Sequence, residues 1–253
     1  MRAVELPLHF DPLGLREDLD RLRAGDWTPH FNTRYFAGDW SVVPLRAPAD
    51  PSRPQADTLG HAWIDTPMLA GCPRLAAAIA RFACPLRAVR LLRLAAGSSI
   101  REHRDHDLGW ELGEVRLHVP ITTHAEVEFF VEDRRIGMRE GECWYLDLAR
   151  PHRVHNRSPI DRVHLVLDCR LDDWLRDLIA RGRPDEGEAG EFAAFHARVL
   201  AEPALWPALI DASEREVFVR RCVELGTQLG FRLLAGDVEA ALAAARRSWT
   251  SGL

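Results

Sequence analysis

Alternating hydrophobic and polar positions run through the middle of the chain. The runs A-V-R-L-L-R-L and E-V-R-L-H-V-P-I place apolar side chains close to every second position, which is the period of a half-buried β-strand. Glycine- and proline-containing turns separate such runs at intervals of about eight to twelve residues. The pattern predicts short strands over Ala88–Leu94, Glu114–Ile121, Glu126–Val131, Arg135–Met138, Cys143–Leu146 and Arg162–Asp168. This succession is typical of an antiparallel sandwich or barrel.

A helical period appears on both sides of the strand region. It predicts helices over Asp11–Leu22, Cys72–Phe82, Asp172–Ala180, Phe192–Leu200, Glu214–Leu225 and Asp237–Trp249. The stretch G-R-P-D-E-G-E-A-G has the composition of a linker. We therefore predict a β domain with N-terminal helices over 1–181, a linker over 182–190 and a helical domain over 191–253. Because the last is too small to hold much core, we expect it to pack on the β domain or to form a homodimer.

Composition narrows the class of protein. Hydrophobic residues make up 47% and charged residues 28% of the 253 positions, as in ordinary globular domains. The net charge of −5 gives no reason to expect nucleic acid or a membrane surface as a partner. The five cysteines are widely spaced and form no C-x-x-C pair, so neither a disulfide framework nor a zinc knuckle is indicated. With no signal-peptide core at the N-terminus, a cytoplasmic location is expected.

Two short polar stretches contain residues suited to metal ligation. The first, I-R-E-H-R-D-H-D-L-G, holds His103 and Asp105, which an extended backbone would point the same way. The second lies about fifty residues further on, and its P-H-R-V-H offers His152 or His155, with His152 preferred because it follows a proline directly. Two histidines and one carboxylate form the facial triad of non-haem Fe(II) oxygenases. H-x-D is also a common sequence, so His103 and Asp105 could instead belong to a charged surface loop.

Arginines on apolar strands suggest an anionic ligand near this triad. Arg162 follows His152 by ten residues on the strand R-V-H-L-V-L-D, where an unpaired guanidinium would be costly to bury. A dicarboxylic co-substrate would offer it a bidentate partner. Arg116 and His118 share one face of another strand, and we interpret the two clusters as the two ends of a site for one small dianion. The simpler alternatives are core positions for His118 and His164, and a local ion pair of Arg116 with Glu114 or Glu128.

Taken together, these motifs match a known family. The runs H-R-D, R-L-H-V-P-I and G-E-C-W-Y-L-D-L-A-R-P-H-R-V-H-N-R-S-P-I-D-R-V-H-L-V-L-D resemble the aspartyl/asparaginyl β-hydroxylase family of Fe(II)/2-oxoglutarate dioxygenases, especially its bacterial proline hydroxylase branch. The resemblance covers residues 90–168. It implies a mainly β fold, the double-stranded β-helix or cupin-like jelly roll, with flanking helices. It also implies Fe(II) held by His103, Asp105 and His152, with 2-oxoglutarate and O₂ as co-substrates.

The resemblance also assigns roles around the iron. It implies that Arg162 binds the distal carboxylate of 2-oxoglutarate and that Arg116 and His118 lie near the other carboxylate. Because Asp105 is present, the bacterial type that hydroxylates a free amino acid is favoured, with proline or a related compound as the expected substrate. Candidate substrate contacts are Arg90, Arg93, Tyr35, Trp40, His106 and Trp110.

Two other functions remain open at this level. The segments R-C-V-E-L-G-T-Q-L-G-F and A-G-D-V-E-A-A-L of the helical tail are similar to helical leader-peptide domains, which would suit a hydroxylase of a peptide- or carrier-bound residue. A non-catalytic cupin-like binding module is the third hypothesis, and the complete His-Asp-His set speaks against it.

Overall fold

The structure, a computed structural model, describes residues 2–50, 62–185, 187–210 and 214–250. The chain divides into two compact units, residues 1–185 and residues 186–253. The first contains the strands and the second is helical. In the described ranges no helix is both long and apolar enough to cross a membrane.

The strands of the first unit are β1 Ala3–His9, β2 Thr28–Pro29, β3 Phe36–Ala37, β4 Trp40–Pro48, β5 Trp63–Asp65, β6 Leu86–Leu94, β7 Ser99–His103, β8 Glu114–Thr122, β9 Val127–Val131, β10 Arg134–Ile136, β11 Glu142–Leu146, β12 His152–Asn156, β13 Arg162–Arg170 and β14 Arg183–Pro184. Its helices are α1 Pro12–Leu19, α2 Pro67–Ala70, α3 Pro73–Ile79 and α4 Asp173–Ala180. Asp11 and Asp172 cap α1 and α4, since each carboxylate accepts a backbone N–H of the first turn. The predicted strands and helices are present, with ends shifted by a few residues.

The strands form two antiparallel sheets. In the larger sheet the order is β14-β1-β11-β8-β13-β6-β4-β2, with β5 beside β4, and in the smaller sheet it is β10-β9-β12-β7-β3. From β6 to β13 the chain passes repeatedly from one sheet to the other, so that β6, β8, β11 and β13 lie in the large sheet and β7, β9, β10 and β12 in the small one. This alternation is the topology of a double-stranded β-helix. The predicted fold class is therefore confirmed.

Each face of the large sheet has its own apolar core. Leu94, Trp144 and Val166 on one face pack against Phe129 and Val154 of the small sheet. On the other face, alternate residues of the same strands pack with the helices, as Leu91, Leu117 and Leu165 do against Leu75 and Leu175. Because successive strand residues point to opposite faces, the polar residues that interrupt the inner face lie between the two sheets.

The helical unit has a separate core. Its helices are α5 Gly187–Ala201, α6 Pro207–Ile210, α7 Arg215–Gln228 and α8 Ala235–Thr250. Phe195, Val219, Cys222 and Val238 are among its buried residues. Arg232 of this unit is half-buried, and burial lowers its pKa to about 10.

The predicted linker has regular structure. Within the predicted linker 182–190, Arg183 and Pro184 pair with β1, and α5 begins at Gly187. A Cβ at Gly182 would lie 2.6 Å from the carbonyl oxygen of Glu5. The glycine is thus required for close packing on β1. The boundary between the two compact units follows Asp185.

Candidate metal centre and its cavity

His103, Asp105 and His152 are brought together at the ends of two paired strands. His103 ends β7, His152 begins β12, and the two residues are opposite each other in the strand pairing. One ligand atom from each of the three side chains lies within 4.8 Å of the others. His103 Nε2 is 3.7 Å from Oδ1 of Asp105, and His152 Nε2 is 4.0 Å from Oδ2. His155, the alternative third ligand, instead packs against Phe130, because it is three residues from His152 on the strand.

Backbone carbonyl groups fix the orientation of both imidazoles. His103 Nδ1 lies 2.8 Å from the carbonyl oxygen of Arg101, and His152 Nδ1 lies 3.0 Å from that of Arg150. Each Nδ1–H therefore donates to a carbonyl, which leaves the Nε2 lone pair free for a metal. Burial lowers the pKa of His152 to about 4, so its imidazole is neutral, as a ligand must be.

Asp105 is held by a buried arginine. Arg116 Nη1 donates to Asp105 Oδ2 at 2.5 Å, while its Nε and Nη2 donate to both carboxylate oxygens of Asp168 at 2.6 and 3.0 Å. Burial opposes the charge of Arg116, but the two carboxylates outweigh it and raise the pKa. Arg116 thus pairs with these two residues rather than with Glu114 or Glu128.

Arg90 shares the same carboxylate. Its Nη2 lies 2.9 Å from Oδ2 of Asp168, and its side chain lines the cavity in front of the triad. Burial lowers the pKa of Arg90, with Asp168 opposing that shift. Arg90 and Arg116 therefore share the carboxylate of Asp168. The other N–H groups of Arg90 can donate to a ligand in the cavity.

Arg162 lies at another part of the cavity and has a different environment. The residue is 1% exposed, and within the described part of the chain no carboxylate is paired with it. Arg162 Nη2 lies 2.8 Å from His164 Nδ1, and its Nε has no hydrogen-bond partner among the described residues. The ring centroid of Phe129 lies 5.9 Å from the guanidinium carbon. Burial lowers the pKa of Arg162 to about 9. Such a guanidinium is costly to bury without an anion.

His118 and His164 are buried histidines, as the simpler alternative expected, but they also contact the site. His118 lines the cavity, and its Nδ1 lies 3.4 Å from His164 Nδ1. In both rings Nε2 is buried and has no hydrogen-bond partner among the described residues. Burial, followed by the neighbouring Arg162, lowers both pKa values well below the ordinary one, so both rings are neutral.

These groups surround one cavity of about 740 Å³. Its lining includes the three candidate metal ligands, and also Arg90, Arg116, His118 and Arg162. Tyr35 and Trp40 form part of an aromatic wall: Tyr35 stacks on the ring of His103 at 5.0 Å, and Trp40 stacks on His30 at 3.5 Å. His106 is exposed and also lies at the lining.

Two candidate substrate contacts lie elsewhere. Arg93 points to the opposite side of β6 from Leu92, donates to Ser41 at 3.0 Å and lies over the ring of Trp27, because neighbouring strand residues face opposite ways. Trp110 packs edge-on against Tyr145 in the outer core. Neither residue is among those that line the cavity with the triad, so a substrate role for Arg93 and Trp110 stays a prediction without support from this geometry.

Two further residues, Asp168 and His30, also belong to the site. Asp168 shares a strand face with Arg162 and His164, and that period of two was a usable signal. His30 lines the cavity, and burial followed by Arg90 lowers its pKa to about 4. Nothing in the spacing around His30 points to that position.

The residues present fit Fe(II) and a dicarboxylate. Two imidazoles whose Nε2 atoms face the shared site, together with one carboxylate, form the mixed nitrogen and oxygen ligand set that suits non-haem iron. Arg162, which lines the same cavity and whose Nε has no partner in the described part of the chain, suits a carboxylate.

Comparison with known proteins agrees with this geometry. A model of the aspartyl/asparaginyl beta-hydroxylase family matches residues 14–171, more than half of the chain. The chain belongs to the aspartyl/asparaginyl beta-hydroxylase family. The match spans β6 to β13, and therefore the triad, Arg116 and Arg162.

Three similar proteins each share less than 30% sequence identity with this hydroxylase-family chain. L-proline cis-4-hydroxylase of Rhizobium meliloti (strain 1021) is 28% identical over 164 residues, which cover 63% of this chain and 57% of that protein. The chain thus matches little more than half the length of this curated relative. A solved 2OG-Fe(II) oxygenase family structure from Burkholderia pseudomallei has 17% identity, a TM-score of 0.44 and coverage of 66% and 85% of the two chains. A Pseudomonas putida prolyl-4-hydroxylase structure has 15% identity, a TM-score of 0.40 and coverage of 68% and 94%.

Proposed function

We propose that this chain is an Fe(II)- and 2-oxoglutarate-dependent dioxygenase. In this proposal it hydroxylates an unactivated C–H bond of a free amino acid, proline or a related compound, and releases succinate and CO₂. The observation that carries the proposal is Arg162, a buried guanidinium with no paired carboxylate in the described residues, in the cavity that also contains the His-Asp-His set. A dicarboxylate that reaches the triad with its 2-oxo acid end would bring its distal carboxylate to this arginine.

The roles of the residues follow from their contacts. Held by His103, Asp105 and His152, Fe(II) would supply the activation of O₂ and the oxidation of the substrate. The carbonyl groups behind the two imidazoles keep both Nε2 atoms directed at the shared site. Arg116 restrains Asp105 through a hydrogen bond to Oδ2. The protein otherwise positions the reactants and excludes water from the cavity.

The other side of the cavity suits a small amino acid. Among the described residues Arg90 has one acidic partner, Asp168, which it shares with Arg116, and its remaining N–H groups can bind a carboxylate. Tyr35, which stacks on His103, and Trp40, which lines the same cavity, offer apolar surface for a short, uncharged side chain. These features support a free amino acid with a compact apolar body.

The alternative substrate is a residue within a peptide or on a carrier. Phe31 favours it, because this aromatic side chain lines the cavity although 79% of its surface is exposed. Exposed aromatic residues beside a cavity commonly contact a larger partner.

Succinate formation in the presence of Fe(II), O₂ and 2-oxoglutarate tests the proposal. We expect one or a few of the twenty amino acids to raise succinate release well above background and to gain one oxygen atom in mass. Background succinate with every free amino acid would contradict the free-substrate proposal, and turnover with a peptide instead would favour the alternative. If the iron-loaded protein did not bind 2-oxoglutarate at all, the dioxygenase assignment itself would be wrong.

Substitutions of two arginines, the buried Arg162 and the exposed Arg157, give a matched test of 2-oxoglutarate binding. Arg162→Met should abolish 2-oxoglutarate binding because it removes the buried cation. Arg157→Met removes an arginine whose side chain is 68% exposed, and it should leave binding unchanged.

A further inference from the structure

His164 holds the guanidinium of Arg162. His164 Nδ1 lies 2.8 Å from Arg162 Nη2, and this is the single hydrogen bond found for that guanidinium within the described residues. Both residues are 1% exposed and two apart on β13, so their side chains lie on the same face of the strand. Phe129 lies near the guanidinium but does not restrain its rotation through a polar contact. The in-plane orientation of Arg162 therefore depends on His164.

The direction of this hydrogen bond sets a tautomer. Arginine can only donate, so His164 Nδ1 must accept and the proton of the neutral ring must be on Nε2. His118 Nδ1 lies 3.4 Å from the same His164 Nδ1, a long contact in which only His118 can be the donor. His118 then carries its proton on Nδ1. The lone pair of His164 Nδ1 thus faces two donors, Arg162 on the same strand and His118 on β8.

We infer that His164 is a positioning residue for co-substrate binding, whose unprotonated Nδ1 orients Arg162 toward the cavity and fixes the tautomer of His118. This inference rests on the proposed function, since it assigns His164 a part in binding 2-oxoglutarate. His164 does not line the cavity, whereas Arg162 and His118 do, so it acts through them and not by contact with the ligand.

A simple core role would require a different chemistry at this position. Leu92 is the cross-strand neighbour of His164 on β6, and it fills its position with an apolar side chain. A histidine whose Nε2 is buried without a partner among the described residues packs less favourably than leucine would. Leucine has no hydrogen-bond acceptor to take the place of Nδ1, whereas the side-chain carbonyl of asparagine can replace it.

Two variants of similar size separate these roles. His164→Leu removes the acceptor, and His164→Asn keeps one near the position of Nδ1. We expect the Kd of 2-oxoglutarate, measured by anaerobic calorimetry on the Fe(II)-loaded protein, to rise about ten- to a hundredfold in the leucine variant, as for loss of a hydrogen bond to a charged group. The asparagine variant should recover most of the affinity.

A measurement on the wild-type protein tests the inference without any substitution. Nitrogen-15 spectra of the 11 histidines, with His164 assigned from the asparagine variant, should show the Nε2–H form for His164 and the Nδ1–H form for His118. A proton on Nδ1 of His164 would overturn the inference whether or not 2-oxoglutarate binds. So would equal Kd values for the wild type and both variants, or an equal loss in both variants. If the wild type itself bound no 2-oxoglutarate, the proposed function would fail first, and the spectra would still report on the tautomers.

Discussion

Asp168 on β13 binds Arg116 on β8 through both carboxylate oxygens, with distances of 2.6 and 3.0 Å. The two residues are direct partners in the strand pairing. Since Arg116 in turn donates to Asp105, a residue of the last core strand is linked through one side chain to a candidate metal ligand. Asp168 therefore contributes to the orientation of Asp105 without lying among the ligands.

This relationship predicts a large effect of Asp168→Asn on stability. The neutral amide would leave Arg116 and Arg90 with less negative charge in a buried environment. Breaking a buried ion pair on one side costs about 3 to 5 kcal/mol, so we expect the free energy of unfolding in urea to fall by about 3 kcal/mol. Glu102→Gln is the control, because Glu102 is 54% exposed and its pair with Arg153 should contribute less than about 1 kcal/mol.

The difference between wild type and Asp168→Asn should depend on pH. Burial opposes ionisation of Asp168, but Arg116 and Arg90 outweigh it and lower its pKa below the ordinary 3.8. A carboxylate with a lowered folded pKa stabilises above its unfolded pKa, and the effect is lost as pH falls through the folded value. The difference in unfolding free energy should thus be constant from pH 5 to pH 7 and decrease below about pH 4. An increase on acidification would contradict this origin.

Asp105→Ala tests the triad directly. Asp105 is the one carboxylate in the set, so its removal should weaken Fe(II) binding and abolish 2-oxoglutarate turnover. Metal binding can be followed by titration under anaerobic conditions, independently of activity. Asp133→Ala, at a fully exposed aspartate, is the matched control and should leave both properties unchanged. Full activity in the Asp105 variant would show that the three side chains are not the metal site.

The parts of the site that could be predicted from sequence are those governed by short-range periodicity. The two-residue spacing of His103 and Asp105, and the apolar strand that carries Arg162, follow from the geometry of an extended chain. Six strands, β6, β8, β9, β10, β11 and β13, follow from the same alternation, whereas β7 and β12, which carry His103 and His152, were not among the predicted strands. His152 was the preferred third ligand, and the strand pairing places it directly opposite His103.

What escaped prediction depends on which face of a strand is turned inward and on contacts distant in sequence. Arg90 and Arg93 lie on the same apolar strand, and only the packing of β6 between β4 and β13 decides that Arg90 faces the cavity. Similarly, Arg116 has acidic neighbours nearby in sequence, but its partners are Asp105 and Asp168, 11 and 52 residues away. Local charge patterns do not contain that information.

Gly38 has a backbone conformation and a close contact that both require glycine. Its φ is +91°, and a Cβ there would overlap Oγ of Ser98, which accepts a hydrogen bond from the backbone N–H of Asp39. Gly97→Ala is a control with a similar positive φ of +73° and no atom within 4 Å, and it should cost about 1 to 2 kcal/mol. Gly38→Ala should cost about 1 to 3 kcal/mol more through the overlap, as measured by urea unfolding. Equal costs for the two would show that Ser98 moves away freely.

Arg90→Gln and Arg93→Gln form a matched pair on one strand for the substrate site. Arg90 lines the cavity, whereas Arg93 is bound to Ser41 and Trp27 outside it. For the amino acid that the succinate assay identifies, Arg90→Gln should raise KM about ten- to a hundredfold, the range for a lost hydrogen bond to a charged group. Its Kd for 2-oxoglutarate should stay near the wild-type value, because Arg162 is unchanged. Arg93→Gln should alter neither constant, so a KM effect confined to Arg93 would place the substrate outside this cavity and require a different binding site.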